Sequence, residues 1–115
     1  MSYGVQVEFD TIREVAFGSI SNTFGNVGSV LDKLPRIIKF TNATDEVIYF
    51  TDGTADKIKL PANTFQLWDV TANKVHSELP QFFSIGTQFK CRHITGSAPS
   101  SGWVSIEALT VSRGR

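Results

Sequence analysis

The chain has 115 residues, of which 41% are hydrophobic and 11% aromatic, and its eleven basic residues balance its eleven acidic ones. This length fits one domain, and the hydrophobic fraction is typical of a globular protein and excludes a disordered one. The zero formal net charge creates no field that attracts nucleic acid or an anionic membrane, so we expect neither as a partner.

Cysteine content and the first residues indicate the compartment. Cys91 is the single cysteine and cannot form an intramolecular disulfide. The first ten residues, MSYGVQVEFD, lack the basic region and apolar run of a secretory signal, and no apolar stretch approaches the roughly 20 residues of a membrane span. We therefore expect a protein that folds in a reducing cytoplasm.

The first 35 residues divide into strands and a loop. Apolar residues alternate in two runs, Tyr3–Phe9 and Ile12–Phe17, which predicts one or two strands with a break near Asp10. Residues 21–35, SNTFGNVGSVLDKLP, contain two glycines and end at a proline, which predicts a long loop or an extended arm. Loops of this length are usually functional or ordered by something else.

The stretch 36–73 predicts four strands joined by tight turns. Residues 42–45 contain Asn and Asp, whose side chains favour turns. Asp52-Gly53 predicts a type I′ hairpin turn, and Pro61 ends the strand that follows, because proline has no N–H to donate to a sheet. The aromatic residues expected to form most of the core are Phe40, Tyr49, Phe50, Phe65 and Trp68.

The remaining chain predicts two more strands. After an irregular stretch around Pro80, residues 87–95 alternate in a half-buried pattern, with Phe89, Cys91 and His93 on one side. Gly96–Gly102 has the composition of a surface loop. The closing strand, Trp103–Val111, has opposite faces formed by Val104, Ile106 and Ala108 and by Trp103, Ser105 and Glu107.

This pattern predicts an all-β fold with about eight strands, turn signals about every ten residues and no convincing helix. We expect a single antiparallel β-sandwich, jelly-roll or immunoglobulin-like. Residues 1–35 are expected to be N-terminal strands and an arm or loop packed on the domain, residues 36–111 the sandwich core, and residues 112–115 a tail.

The candidate chemical sites are weak. Asp52 and Asp56 are four residues apart, but calcium needs six to eight oxygen ligands, so a plain turn is favoured. His76 and His93 lack the short ligand spacing of a zinc site. Cys91 and His93 share a strand face, yet a third orienting group is missing. We expect no catalytic residue, no metal and no cofactor.

The two tryptophans, Trp68 and Trp103, are expected to lie in the core, because the chain has few other large apolar side chains. If Trp68 is fully buried, its replacement by Ala is expected to reduce the free energy of unfolding by roughly 3 to 5 kcal/mol.

Two stretches, TNATDEVIYFTDGTADKIKLPANTFQLWDVTANK and IGTQFKCRHITGSAPSSGWVSIEAL, resemble a family of small virion structural proteins of tailed bacteriophages. The resemblance covers about residues 37–109. Its most specific parts are turn and strand positions: Thr41–Thr44, Asp52-Gly53, Asp69–Asn73, Gly86–Phe89 and Ser97–Pro99 before Gly102. It implies a shared fold and a role in the virion, and it brings no active site with it.

The resemblance implies a structural subunit assembled in the host bacterial cytoplasm, at the head-to-tail junction (adaptor, connector or collar) or on the capsid as a cement protein. Its expected partners are copies of itself and capsid, portal or tail proteins, contacted through edge strands and an N-terminal arm. The candidate interface residues are Phe9, Phe17, Phe24, Val27 and Trp103. The alternative is a host-surface glycan-binding module of a phage tail that uses Trp103 and the loop Gly96–Gly102.

Overall fold

The computed structural model describes residues 5–69 and 85–113, which form two antiparallel sheets packed face to face. The large sheet contains β1 (Val5–Phe9), β2 (Arg13–Ala16), β4 (Leu34–Asn42), β7 (Thr64–Asp69) and β9 (Trp103–Arg113). The small sheet contains β3 (Gly25–Asn26), β5 (Ile48–Thr51), β6 (Ile58–Leu60) and β8 (Lys90–His93). The predicted antiparallel β-sandwich is confirmed.

Helix is nearly absent from the described residues, where one 3₁₀ turn, Phe17–Ser19, is the single helical element. No helix in this part of the chain has the length and hydrophobicity of a membrane span. Predictions for residues 70–84, which include His76 and the irregular stretch around Pro80, lie outside the described residues.

Strand β9 is the centre of the large sheet. It pairs with β4 on one side and with β1 and β2, one after the other, on its second side. Phe9 lies opposite Leu109 and Arg13 opposite Ile106, so three residues on the N-terminal side face two on β9. This extra residue is a β-bulge, and it confirms the predicted break near Asp10.

The bulge directs the Arg13 side chain inward, where it is 3% exposed. Its guanidinium donates to the carbonyl oxygens of Ser29 at 2.7 Å and Val30 at 3.0 Å, and forms a 3.0 Å ion pair with Asp10. Gly28 has φ +66°, and a Cβ there would lie 2.5 Å from the Arg13 Cγ, so glycine is required. Arg13 therefore attaches the following loop to β2.

Residues 21–35 pack against the same sandwich that the rest of the chain forms. Strand β3 pairs with β8, and the N–H groups of Val27 and Leu31 donate to the carbonyl oxygens of Phe89 and Thr87 at 2.8 and 2.9 Å. Both Val27 and Leu31 are fully buried. The stretch predicted as a loop or arm is therefore an ordered edge of the sandwich, and it does not project from the domain.

Three phenylalanines join the two sheets. Phe40 of β4 makes edge-to-face contacts with Phe50 and Phe89, with ring centroids 5.5 Å apart in both pairs. All three rings are buried. The other buried apolar residues around them are Ile20, Val27, Leu31, Ile38, Ile48, Leu60, Cys91, Val104, Ile106 and Ala108.

Three aromatic residues predicted in the core are partly exposed: Phe65 is 60% exposed, Trp103 46% and Trp68 39%. Strand β7 has apolar residues of both parities, so its sequence alone does not decide which face is buried. Its pairing with β4 places Phe65 on the outer side, and the Trp68 indole N–H donates to Gln66 at the rim. The cost expected for a fully buried Trp68 therefore does not apply.

Asn42 forms the corner between the sheets. Its Oδ1 accepts hydrogen bonds from the N–H and the hydroxyl of Thr44, at 2.9 and 2.6 Å. Its side-chain amide donates to the carbonyl oxygens of Glu46, Leu60 and Pro61. The predicted turn at 42–45 is confirmed as an Asx turn, which carries the chain from β4 into β5.

The turn predicted at Asp52-Gly53 differs in type. Strands β5 and β6 do pair as a hairpin, but six residues, 52–57, connect them. Gly53 is not among the residues with positive φ, so the turn is not type I′. The Thr51 hydroxyl accepts the Gly53 N–H, and a 2.9 Å ion pair between Asp52 and Lys57 closes the longer loop.

Two predicted alternations are confirmed. On β9, Val104, Ile106 and Ala108 are buried, and next to β8 the buried side consists of Phe89, Cys91 and His93. Strand β9 continues to Arg113, so Ser112 and Arg113 belong to the large sheet and not to a tail.

Candidate functional site

Among the described residues, the outward side of the large sheet carries four of the nine exposed large apolar side chains. Residues directly opposite each other in antiparallel strands share a face. Because Ile38, Phe40 and Ile106 are buried, their strand neighbours point outward. We call this surface the apolar face and define it by Phe9, Ile37, Phe65, Leu67, Trp103 and Leu109, with Lys39, Thr41, Ser105 and Glu107 between them and the carboxylates of Glu14 and Asp69 at its edges.

The apolar face is arranged in rows across the strands. Phe9, Leu109 and Ile37 form one row, which is followed by a row of Glu107, Lys39 and Leu67. Phe9 is 87% exposed and Leu67 is 56% exposed. Exposed apolar groups at this density on one sheet face are typical of a surface that contacts another molecule.

One cation and one carboxylate lie near the middle of the apolar face. Lys39 and Glu107 are opposite each other on β4 and β9. The Lys39 ammonium lies over the Phe65 ring, 4.7 Å from its centroid, which is a cation–π contact. Among the described residues, no salt bridge includes Glu107.

The outward side of the small sheet is different in character. We call it the charged face and define it by Tyr49, Asp56, Lys59, Lys90 and Arg92. The Arg92 guanidinium makes two hydrogen bonds to the Asp56 carboxylate, at 2.9 and 2.7 Å. It also lies 4.8 Å from the Tyr49 ring centroid and 5.6 Å from that of Phe24.

This ion pair changes the acidity of both groups. The hydrogen bond from Arg92 lowers the pKa of Asp56 below its ordinary value, and the same bond raises the pKa of Arg92. Both side chains stay charged near neutral pH. The charged face therefore presents Arg92 and Asp56 as an ion pair that is already formed, and the apolar face presents hydrophobic surface.

The five predicted interface residues are not brought together. Phe9 and Trp103 both lie on the apolar face, at opposite ends of the part of β9 that forms it, and Phe17 follows β2 at the Trp103 end. Phe24 packs under Arg92 on the charged face. Val27 is fully buried, because β3 places it between the sheets, so it belongs to the core and not to the surface.

Sequence reasoning missed Phe65 and Leu67 as surface residues, and it missed the Lys39 and Glu107 pair. Phe65 and Leu67 have the same parity, and Trp68 has the opposite one. A charged residue at position 39, between Ile38 and Phe40, is the available signal. It shows that one side of β4 faces solvent, and the pairing of β4 with β7 then places Phe65 and Leu67 on that side.

Cys91 and His93 point into the sandwich from β8. Burial raises the pKa of the Cys91 thiol to about 12, so it is protonated at neutral pH and a poor nucleophile. The His93 Nδ1 lies 2.8 Å from the Ile94 carbonyl oxygen. No group of three or more potential metal ligands occurs within the described residues.

A pocket of about 190 Å³ opens between the sheets beside β6. Phe40, Phe89 and Ile58 form its apolar floor, and Asp52 and Lys57 lie at its rim with Thr51 and Trp68. The pocket contains no cluster of titratable groups that is suited to acid–base chemistry.

Comparison with protein-family models, with curated proteins and with solved structures found no match for this chain. The fold described above therefore rests on the structure itself.

Proposed function

We propose that this protein is a structural subunit of a tailed-phage virion, at the head-to-tail junction or on the capsid as a cement protein. The observation that carries the proposal is the apolar face, where Phe9, Phe65, Leu67 and Trp103 are 46% to 87% exposed on one rigid sheet. Such a surface is suited to contact with other proteins. The tailed phage and its virion come into the proposal from the sequence resemblance.

The mechanism is non-covalent attachment in many copies. A β-sandwich held by a bulge, an Asx turn and a phenylalanine core presents its faces in fixed positions, so little ordering is required when a neighbour binds. Copies of this chain and other virion proteins are the proposed partners, with no nucleic acid, membrane or cofactor, and the virion is the proposed location.

Copy number in purified particles tests this function. Quantitative mass spectrometry should find the protein in intact virions, with about a dozen or fewer copies for a junction ring and hundreds for a shell cement protein. Immunogold labelling should then place it at the neck or over the whole capsid. Absence from purified particles that contain all other structural proteins would reject the proposal.

A glycan-binding module of a phage tail is the second candidate, and the exposure of Trp103 favours it. Trp103 is 46% exposed and directly follows the loop Gly96–Gly102. An exposed aromatic ring beside small polar residues is suited to stacking on a sugar. Binding on a glycan array that is lost in Trp103→Ala, with the thermal unfolding temperature unchanged, would support this candidate over the structural one.

A further inference from the structure

We infer that the apolar face is the contact surface for a second copy of this chain, in a face-to-face dimer with two-fold symmetry. The inference deepens the proposed structural function and rests on it, since it names one partner and one surface for the multi-copy contacts.

The first step is charge complementarity. A two-fold interface brings the same patch of both copies together, so the patch must complement itself. The apolar face has Lys39 and Glu107 side by side near its middle. A two-fold axis between them places the Lys39 of each copy against the Glu107 of its partner, which gives two equivalent ion pairs.

The second step is hydrophobic complementarity. The apolar side chains lie around this central charge pair, with Phe9, Ile37 and Leu109 on one side and Phe65 and Trp103 on the other. The two-fold axis of a face-to-face dimer lies in the plane of the interface, and here it runs parallel to β4 and β9. It therefore places Leu109 of each copy over Ile37 of its partner, and Ser105 over Thr41, on either side of the two ion pairs. The charged face offers no such match, because its carboxylate, Asp56, is already bound to Arg92 of the same copy, while no salt bridge among the described residues includes Lys59 or Lys90.

The third step is size. The face spans four strands about 4.8 Å apart and about seven residues at about 3.4 Å each, so its footprint is roughly 450 Å² in projection. Two copies together bury roughly 900 Å², which is below the roughly 1,200 Å² of stable specific interfaces and in the range of weak, transient ones. We therefore expect a weak dimer in solution, with a dissociation constant in the micromolar range.

Charge reversal is the decisive test. Sedimentation velocity of the 115-residue protein should show a concentration-dependent dimer between about 1 µM and 1 mM. Glu107→Lys and Lys39→Glu should each weaken it at least tenfold, because each places like charges opposite across the axis. The double variant, Lys39→Glu with Glu107→Lys, should recover most of the affinity.

The matched control is Lys59→Glu, which makes the same charge change as Lys39→Glu but on the charged face. It should leave the dimer unchanged. Far-UV circular dichroism and thermal unfolding confirm that each variant is folded. If a charge variant fails to fold, Phe9→Ser replaces it, because this side chain is 87% exposed and its loss should weaken only the dimer.

Three outcomes would overturn the inference: a wild-type monomer at all concentrations, a double variant that associates no better than the single ones, or a Lys59→Glu variant that is as weak as Lys39→Glu. A double variant that does not recover the affinity would indicate that the apolar face binds a different protein. These results are separate from the function test. A monomer that is still counted in particles rejects the dimer and leaves the structural function, whereas a dimer absent from particles does the reverse.

Discussion

The apolar face and the charged face of this sandwich are built on the same plan and differ in what they leave exposed. Both sheets bury an apolar inner side, with Phe40 contributed by the large sheet and Phe50 by the small one. Outside, the small sheet places Asp56 and Arg92 in a bidentate ion pair, whereas the large sheet leaves Phe9 and Phe65 largely uncovered. The difference teaches that the inner sides specify the fold, whereas the outer side of the large sheet keeps apolar side chains exposed that the fold does not bury.

The largest expected effect comes from replacing a phenylalanine by alanine on the inner side of the large sheet and, for comparison, on its outer side. Phe40→Ala should lower the free energy of unfolding by roughly 3 to 5 kcal/mol, because it removes a buried ring that joins the sheets. Phe65→Ala should cost less than about 1 kcal/mol, because its ring is 60% exposed and contacts Lys39. Urea unfolding measures both. Equal costs would show that the apolar face is needed for folding.

The next comparison uses the two arginines with the most contacts. Arg13→Met should cost roughly 3 kcal/mol, since it leaves the Asp10 carboxylate and the carbonyl groups of Ser29 and Val30 without their buried donor. Arg92→Met removes an ion pair on the surface, and its effect should be much smaller. Chemical denaturation of the two variants is the measurement. A larger loss for Arg92→Met would contradict the assignment of Arg13 as the group that attaches the loop.

A third prediction concerns Asn42, which forms the corner between the two sheets. Asn42→Ala removes hydrogen bonds to Thr44, Glu46 and the β6 end, and we expect a loss of roughly 2 kcal/mol. Asn22→Ala is the matched control, because this exposed amide makes one long contact to Thr95 at 3.3 Å and its loss should stay within about 0.5 kcal/mol. Thermal unfolding that ranks the two variants in the opposite order would contradict the role of Asn42 as the corner.

The smallest effect is a pH dependence specific to the charged face. The pKa of Asp56 is lowered in the folded protein, so its contribution to stability is present above the unfolded value of 3.8 and is lost as pH falls through the lower folded value. The difference between the unfolding temperatures of wild type and Asp56→Asn should therefore be present near pH 7 and shrink as the pH falls below 3.8. In an Arg92→Gln background, Asp56→Asn should have almost no effect at either pH, and a persistent difference would assign the stabilisation to another group.

Much of the fold was predictable, because period-two patterns give strand positions directly. The burial of Val104, Ile106 and Ala108 follows from one such pattern, and the Asx turn at Asn42 follows from side-chain chemistry. Strand β7 was not predictable in the same way, since it has apolar residues of both parities and only its pairing with β4 decides which ones are buried.

The candidate surface was harder to predict than the fold. Phe9 and Trp103 were named as candidate interface residues and are exposed, although Trp103 was also expected in the core. Val27 was named with them but is buried, because the short strand β3, which the glycines around it concealed, ends just before it. Phe65 and Leu67 belong to the surface only through long-range pairing. The pairing of Lys39 with Glu107 joins residues 68 positions apart, so no local pattern indicates it.

The bulge at Asp10–Ile12 also hinders the addition of further strands at one edge of the large sheet. A regular edge strand invites further strands to add without end, which leads to fibres. Here the outer strand of the large sheet bends at the bulge and turns a charged side chain, Arg13, inward, two features that natural sheets use against such growth. In the proposed dimer, two copies would meet face to face under two-fold symmetry and form a closed pair that adds no further copies.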